Sequence, residues 1–66
     1  MIAPFDIFKG EKDGTVVWKG TAETLEVARL SVKVLMVSSP GSYIIHSQRT
    51  GHKMLVNPDG STERIT

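Results

Sequence analysis

Two histidines, His46 and His52, are the only imidazoles in the chain and are the side chains best suited to bind a metal ion. They lie on either side of a predicted hairpin turn, where Asp59 or Glu63 could supply an oxygen ligand. Histidines in strands and turns are more often solvated or hydrogen-bonded, and these four residues lack the spacing of a closed ligand set. We therefore predict no metal site and no cofactor.

A cluster of polar and basic side chains surrounds the two histidines. On the open face of an antiparallel sheet, such groups can receive a protein or a small ligand, or bind single-stranded nucleic acid through stacking and phosphate contacts. Long polar side chains are also ordinary at a solvated hairpin tip, and a net charge of +1 makes nucleic acid the second choice. The candidate contact residues are Tyr43, His46, Gln48, Arg49, His52 and Lys53.

The sequence contains no recognisable pairing of a nucleophile with a base. Ser42 and Ser47 are possible nucleophiles by residue type alone, because neither lies on a predicted strand-to-helix turn of the kind that exposes a nucleophile. Gly10, Gly14 and Gly20 are typical of turns and strand ends and do not form a phosphate-binding loop. We therefore predict that the protein is not an enzyme.

The elements that must position these groups begin with a hairpin. Residues 5–9 and 15–19 are rich in aromatic and β-branched side chains, and Asp13-Gly14 between them is a strong tight-turn signal. Alternation places Phe8 on the opposite face from Phe5, and sets Trp18 apart from Val17. From their types, we expect Phe5, Phe8 and Trp18 to contribute to the core.

A helix is predicted from Leu25 to Val37, with Thr24 as its N-cap and Glu26 near the positive end of the helix dipole. A strand is the alternative, because Leu30, Val32, Val34 and Met36 alternate. The helix is favoured because the cap signal is good and the segment, which lacks glycine and proline, is long for a strand.

A second hairpin follows, with strands at 42–48 and 53–57. The polar residues 61–66 form a tail that either frays or adds a short edge strand. Chain direction favours an α+β fold of ββαββ type, in which one helix covers one face of a four-stranded antiparallel sheet of order 2-1-3-4. Residues 1–60 would form this single domain.

The predicted helix has two apolar stripes. At 100° per residue, a core stripe of Leu25, Ala28, Val32, Leu35 and Met36 faces the sheet. An outer stripe of Val27, Leu30, Val34 and Val37 lies on the far side. In a monomer the outer stripe would be solvated unless loops or the tail cover it, so we predict a homodimer formed through it. Pairing through sheet edges or the open sheet face is the alternative.

The size and composition of the chain also favour a homodimer. A chain of 66 residues without cysteine cannot use disulfides to reinforce a small core, and a second subunit is one of the remaining means of doing so. The absence of a signal-peptide pattern or a long apolar run predicts a cytoplasmic protein that does not contact membranes.

Three segments carry a resemblance to known proteins: Thr24-Leu25-Glu26-x-Ala28, Pro40-Gly41-Ser42-Tyr43-x-Ile45-His46 and Gly51-x-Lys53. Together they resemble small bacterial proteins of unknown function in which a capped helix separates two hairpins. The resemblance implies a two-hairpin, one-helix architecture and a bacterial source. It implies no activity.

Overall fold

A computed structural model describes residues 4–64 of the chain. Along the sequence it contains β1 (Phe5–Gly10), β2 (Val16–Ala22), α1 (Leu25–Ser38), β3 (Tyr43–Ser47), β4 (Lys53–Val56) and β5 (Thr62–Arg64). The strands form one antiparallel sheet of order β2-β1-β3-β4-β5. The predicted α+β class and the order 2-1-3-4 are confirmed, and the tail supplies a fifth strand. What was predicted for residues 1–3, 65 and 66 lies outside the described residues.

The tail pairs with β4 as strand β5, because the turn between β4 and β5 has the same chemistry as the turn between β1 and β2. Gly14 and Gly60 follow an aspartate and have φ angles of +90° and +92°, a backbone conformation that glycine adopts without steric cost. Asp13 accepts hydrogen bonds from the backbone N–H and the hydroxyl of Thr15, at 3.0 and 2.7 Å. Asp59 does the same for Ser61, at 2.9 and 2.7 Å. The second turn therefore reverses the chain and returns Thr62–Arg64 to β4.

Strand β2 is longer than predicted. The sequence suggests an end near Lys19, but pairing with β1 continues to Ala22, which lies opposite Phe5. The register shifts between Ile7, opposite Gly20, and Phe8, opposite Trp18, so that Lys19 forms a bulge. The bulge allows the strand to pass through Gly20, and Ala22 becomes buried in the core.

Helix α1 begins and ends as its flanking residues predict. The hydroxyl of Thr24 accepts a hydrogen bond from the backbone N–H of Val27 at 3.1 Å, which satisfies one of the free amides of the first turn. At the other end, the backbone N–H of Ser39 donates to the carbonyl of Leu35 at 2.7 Å before Pro40 stops the helix.

The core lies between α1 and strands β1, β2 and β3, and Val56 of β4 also belongs to it. Ala28 and Val32 of the predicted core stripe are fully buried, and Leu25, Leu35 and Met36 pack around them. The sheet contributes its helix-facing side chains, and the fully buried ones include Ile7, Tyr43 and Ile45. The core stripe of the helix is therefore confirmed as the face that covers the sheet.

Candidate functional site

The outer stripe of α1 is exposed along its whole length. Val27, Leu30, Val34 and Val37 are 45%, 60%, 71% and 86% exposed, so within residues 4–64 neither a loop nor β5 covers them. Isolated exposed apolar residues are ordinary on protein surfaces, but a contiguous row is typical of an interaction site. The stripe is therefore the first candidate surface.

Charged side chains lie along one flank of this stripe. Glu26 and Lys33 are seven residues apart, or about two helical turns, and both are exposed on the same side of the helix. Ser31 and Ser38 occupy the other flank, which carries no charge. The two flanks of the outer stripe therefore differ in electrostatic character.

A second apolar surface covers the face of the sheet away from the helix, called here the open face. Its register brings Phe8 opposite both Trp18 and Ile44, and Ile44 opposite Leu55. Trp18 is 59% exposed, and Phe8 is half-buried. The expectation that both rings belong to the core was wrong, because α1, the one helix among residues 4–64, covers the other face. The apolar residues of the open face are Phe8, Val16, Trp18, Ile44 and Leu55.

The polar end of the open face is organised by an aspartate that the sequence analysis did not single out. Asp6 lies opposite His46 in the register of β1 and β3. One carboxylate oxygen of Asp6 accepts a hydrogen bond from the side-chain amide of Gln48 at 2.7 Å and lies 3.9 Å from Nδ1 of His46. The alternation of side chains along β1, which places Asp6 on the same side as Phe8, could have predicted that Asp6 lies on the open face. A carboxylate therefore lies beside two members of the predicted contact cluster, His46 and Gln48.

The structure separates the remaining members of that cluster. Tyr43 is 0% exposed, and its hydroxyl donates to the carbonyl of Ser39 at 2.6 Å. The prediction that Tyr43 contacts a ligand is therefore corrected, because a ring in the core cannot stack on a bound molecule. Arg49 is exposed in the turn after β3. The ring of Tyr43 is therefore not exposed for stacking on a nucleic-acid base.

The two histidines do not come together. His46 lies on the open face beside Phe8, Val16, Ile44 and Lys53, around a shallow cavity of about 420 Å³. His52, in contrast, lines a groove on the helix side of the sheet. In residues 4–64, no three His, Asp or Glu side chains converge as a ligand set for a metal ion.

No protein family, curated protein or solved structure matches this chain. Within the described range, the single helix lacks the length and apolar character needed to cross a bilayer. The two apolar surfaces and the residues that border them are therefore the candidate sites of function.

Proposed function

We propose that this chain is a small, non-enzymatic interaction module that forms a homodimer through the outer stripe of α1. The open face then remains free to receive a protein partner or a small ligand. The observation that carries this proposal is the exposure of Val27, Leu30, Val34 and Val37 in one row. Burial of such side chains is worth roughly 1.5–3 kcal/mol each when it is complete.

The spacing of the outer stripe suits a second copy of the same helix. Its residues are three, four and three positions apart, which is the spacing of a coiled-coil seam. This spacing reads the same in both directions along the helix. A two-fold axis between Leu30 and Val34 therefore sets Leu30 of one copy against Val34 of the other, and Val27 against Val37.

The charged flank selects between the two orientations of the helix pair. In an antiparallel pair, the flank with Glu26 and Lys33 faces the same flank of the second copy, so that Glu26 approaches the opposite Lys33. In a parallel pair, these charges would face Ser31 and Ser38. Exposed ion pairs contribute only about 0.2–1 kcal/mol each, so they favour one orientation without supplying most of the affinity.

The dimer is expected to be weak. A helix of 14 residues is about 21 Å long, and one helix pair buries less than the roughly 1,600 Å² of a standard stable interface. Association also costs at least about 4 kcal/mol in lost translational and rotational freedom. We therefore expect dissociation in the micromolar range or weaker.

Sedimentation velocity across a concentration series from micromolar to millimolar tests the proposal. The wild-type chain should shift from monomer to dimer as its concentration rises. Val34→Glu should remain monomeric in the same range, because a carboxylate at the centre of the stripe would lose its hydration on pairing.

Val16→Glu is the matched control. It makes the same change at a valine of similar exposure on the open face, 52% against 71% for Val34. Val16→Glu should dimerise like the wild type. A wild-type chain that stays monomeric at all concentrations contradicts the proposal, and loss of dimer in Val16→Glu alone would assign the interface to the open face.

A further inference from the structure

The helix leaves part of its own side of the sheet uncovered. It packs against β1, β2 and β3, whereas β4 and β5 extend the sheet beyond β3. A groove of about 260 Å³ lies on this side, next to the start of the helix. Its apolar lining comes from Phe5, Leu25, Ile45 and Met54.

One cationic side chain, that of Arg64, borders the groove. Arg64 lies opposite Met54 in the register of β4 and β5, on the helix side of the sheet. His52 lines the same groove, and within residues 4–64 no aspartate or glutamate does. The side chain of Lys53 lies on the open face, because Lys53 is opposite His46 in the register of β3 and β4. Within residues 4–64, Arg64 has no ion-pair or hydrogen-bond partner for its guanidinium. The groove thus combines an apolar floor with one unneutralised positive charge, that of Arg64, at its border.

We propose that this groove binds a small apolar molecule that carries one carboxylate. The apolar body of the ligand packs on Phe5, Leu25 and Met54. Its carboxylate pairs with Arg64, whose planar guanidinium can donate two parallel hydrogen bonds to the two oxygens. The volume is just below the range of about 300–1,000 Å³ typical of ligand pockets, so a short acyl chain or a single substituted ring fits best.

This site does not depend on the proposed dimer. Leu25, which lines the groove, belongs to the core stripe, and the outer stripe lies on the opposite side of α1. The groove therefore remains open in the monomer and in a helix-paired dimer. Failure of dimerisation in sedimentation and failure of ligand binding are separate results.

An NMR titration of the uniformly ¹⁵N-labelled full chain tests the proposal, with sodium octanoate as the probe and octanamide as its neutral counterpart. Octanoate, kept below its micelle concentration, should shift the amide signals of Leu25, Met54 and Arg64 in a saturable manner. Octanamide should bind roughly tenfold more weakly, because it lacks the charge that Arg64 recognises.

Arg64→Gln should weaken octanoate binding roughly tenfold and leave octanamide binding unchanged. Lys12→Gln, which removes one positive charge from the exposed β1–β2 turn, is the control and should bind octanoate like the wild type. Equal affinity for the two probes would overturn the proposed carboxylate recognition. Shifts confined to the outer stripe or the open face would overturn the site, as would contacts showing that residues 1–3 fill the groove.

Discussion

At the scale of single residues, the clearest electrostatic feature is the pair of aspartates in the two related turns. The side-chain and backbone hydrogen bonds from Thr15 lower the pKa of Asp13, and those from Ser61 lower the pKa of Asp59. Both carboxyl groups are exposed, and the donors stabilise their charged form. The two turns are therefore expected to respond to acid in the same way.

Thr15→Ala should raise the pKa of Asp13 toward its ordinary value, because it removes the hydroxyl donor that lowers this pKa most. A carbon-detected NMR titration of the side-chain carboxyl groups measures the change. Asp59 provides the internal control, since its own donor, Ser61, is unchanged, and its pKa should not move. An unchanged Asp13 titration would contradict this account of the turn.

The same lowered pKa values set the direction of the pH dependence. A carboxyl group with a lower pKa in the folded chain than in the unfolded chain stabilises the fold fully above its unfolded-state pKa. That stabilisation decreases as the pH falls and is lost below the folded-state pKa. The wild-type turns should therefore weaken only in acid.

At the scale of the elements, helix α1 is apolar on two sides. Its core stripe is buried against the sheet, and its outer stripe is exposed, so the polar residues Glu26, Arg29 and Lys33 are confined between them. A helix that is apolar on two sides is typical of one that is buried between two layers. In the proposed dimer, the second layer is the helix of the other copy.

The antiparallel orientation of that pair can be tested by exchanging charges. Glu26→Lys should weaken the dimer, because position 26 would then approach Lys33 of the second copy with the same charge. Adding Lys33→Glu should restore the affinity, since the opposite charges would face each other again. Sedimentation equilibrium at low salt measures both changes, which should shrink as salt is added. Equal affinities for all three chains would contradict the antiparallel arrangement.

Local signals made the elements predictable. Asp13-Gly14 marked a turn and Thr24 marked a helix start, and each acts within a few residues of its own position. The Lys19 bulge was not predictable, because it depends on how β2 pairs with β1. The same is true of the contact between Asp6 and Gln48, which are 42 positions apart.

The positions of the aromatic rings were also only partly predictable from the sequence. Alternation correctly separated Phe8 and Trp18 from the other face of their strands, but it did not show that this face would lack a covering helix. Tyr43 was assigned to a surface cluster by its polar neighbours, whereas the fold buries it opposite Val56. Which face becomes the core depends on where the helix packs, and this is a property of the whole chain.

At the scale of the whole molecule, the two apolar surfaces lie on opposite sides. Because Trp18 is the only tryptophan and belongs to the open face, its fluorescence reports on that face alone. Acrylamide should quench Trp18 efficiently, and to the same extent, at concentrations below and above the dimer transition. Protection of Trp18 in the dimer would show that the open faces pair instead.

The bulge at Lys19 also affects whether copies of the protein can assemble through the edges of their sheets. A sheet with two exposed edges can add strands from other molecules and grow into a ribbon or a fibril. Here β2 forms one edge and is interrupted by the bulge, and the other edge is β5, a three-residue strand of Thr62, Glu63 and Arg64. Irregular, short and charged edges resist this kind of growth. The apolar faces of the protein are therefore exposed while its strand edges discourage aggregation.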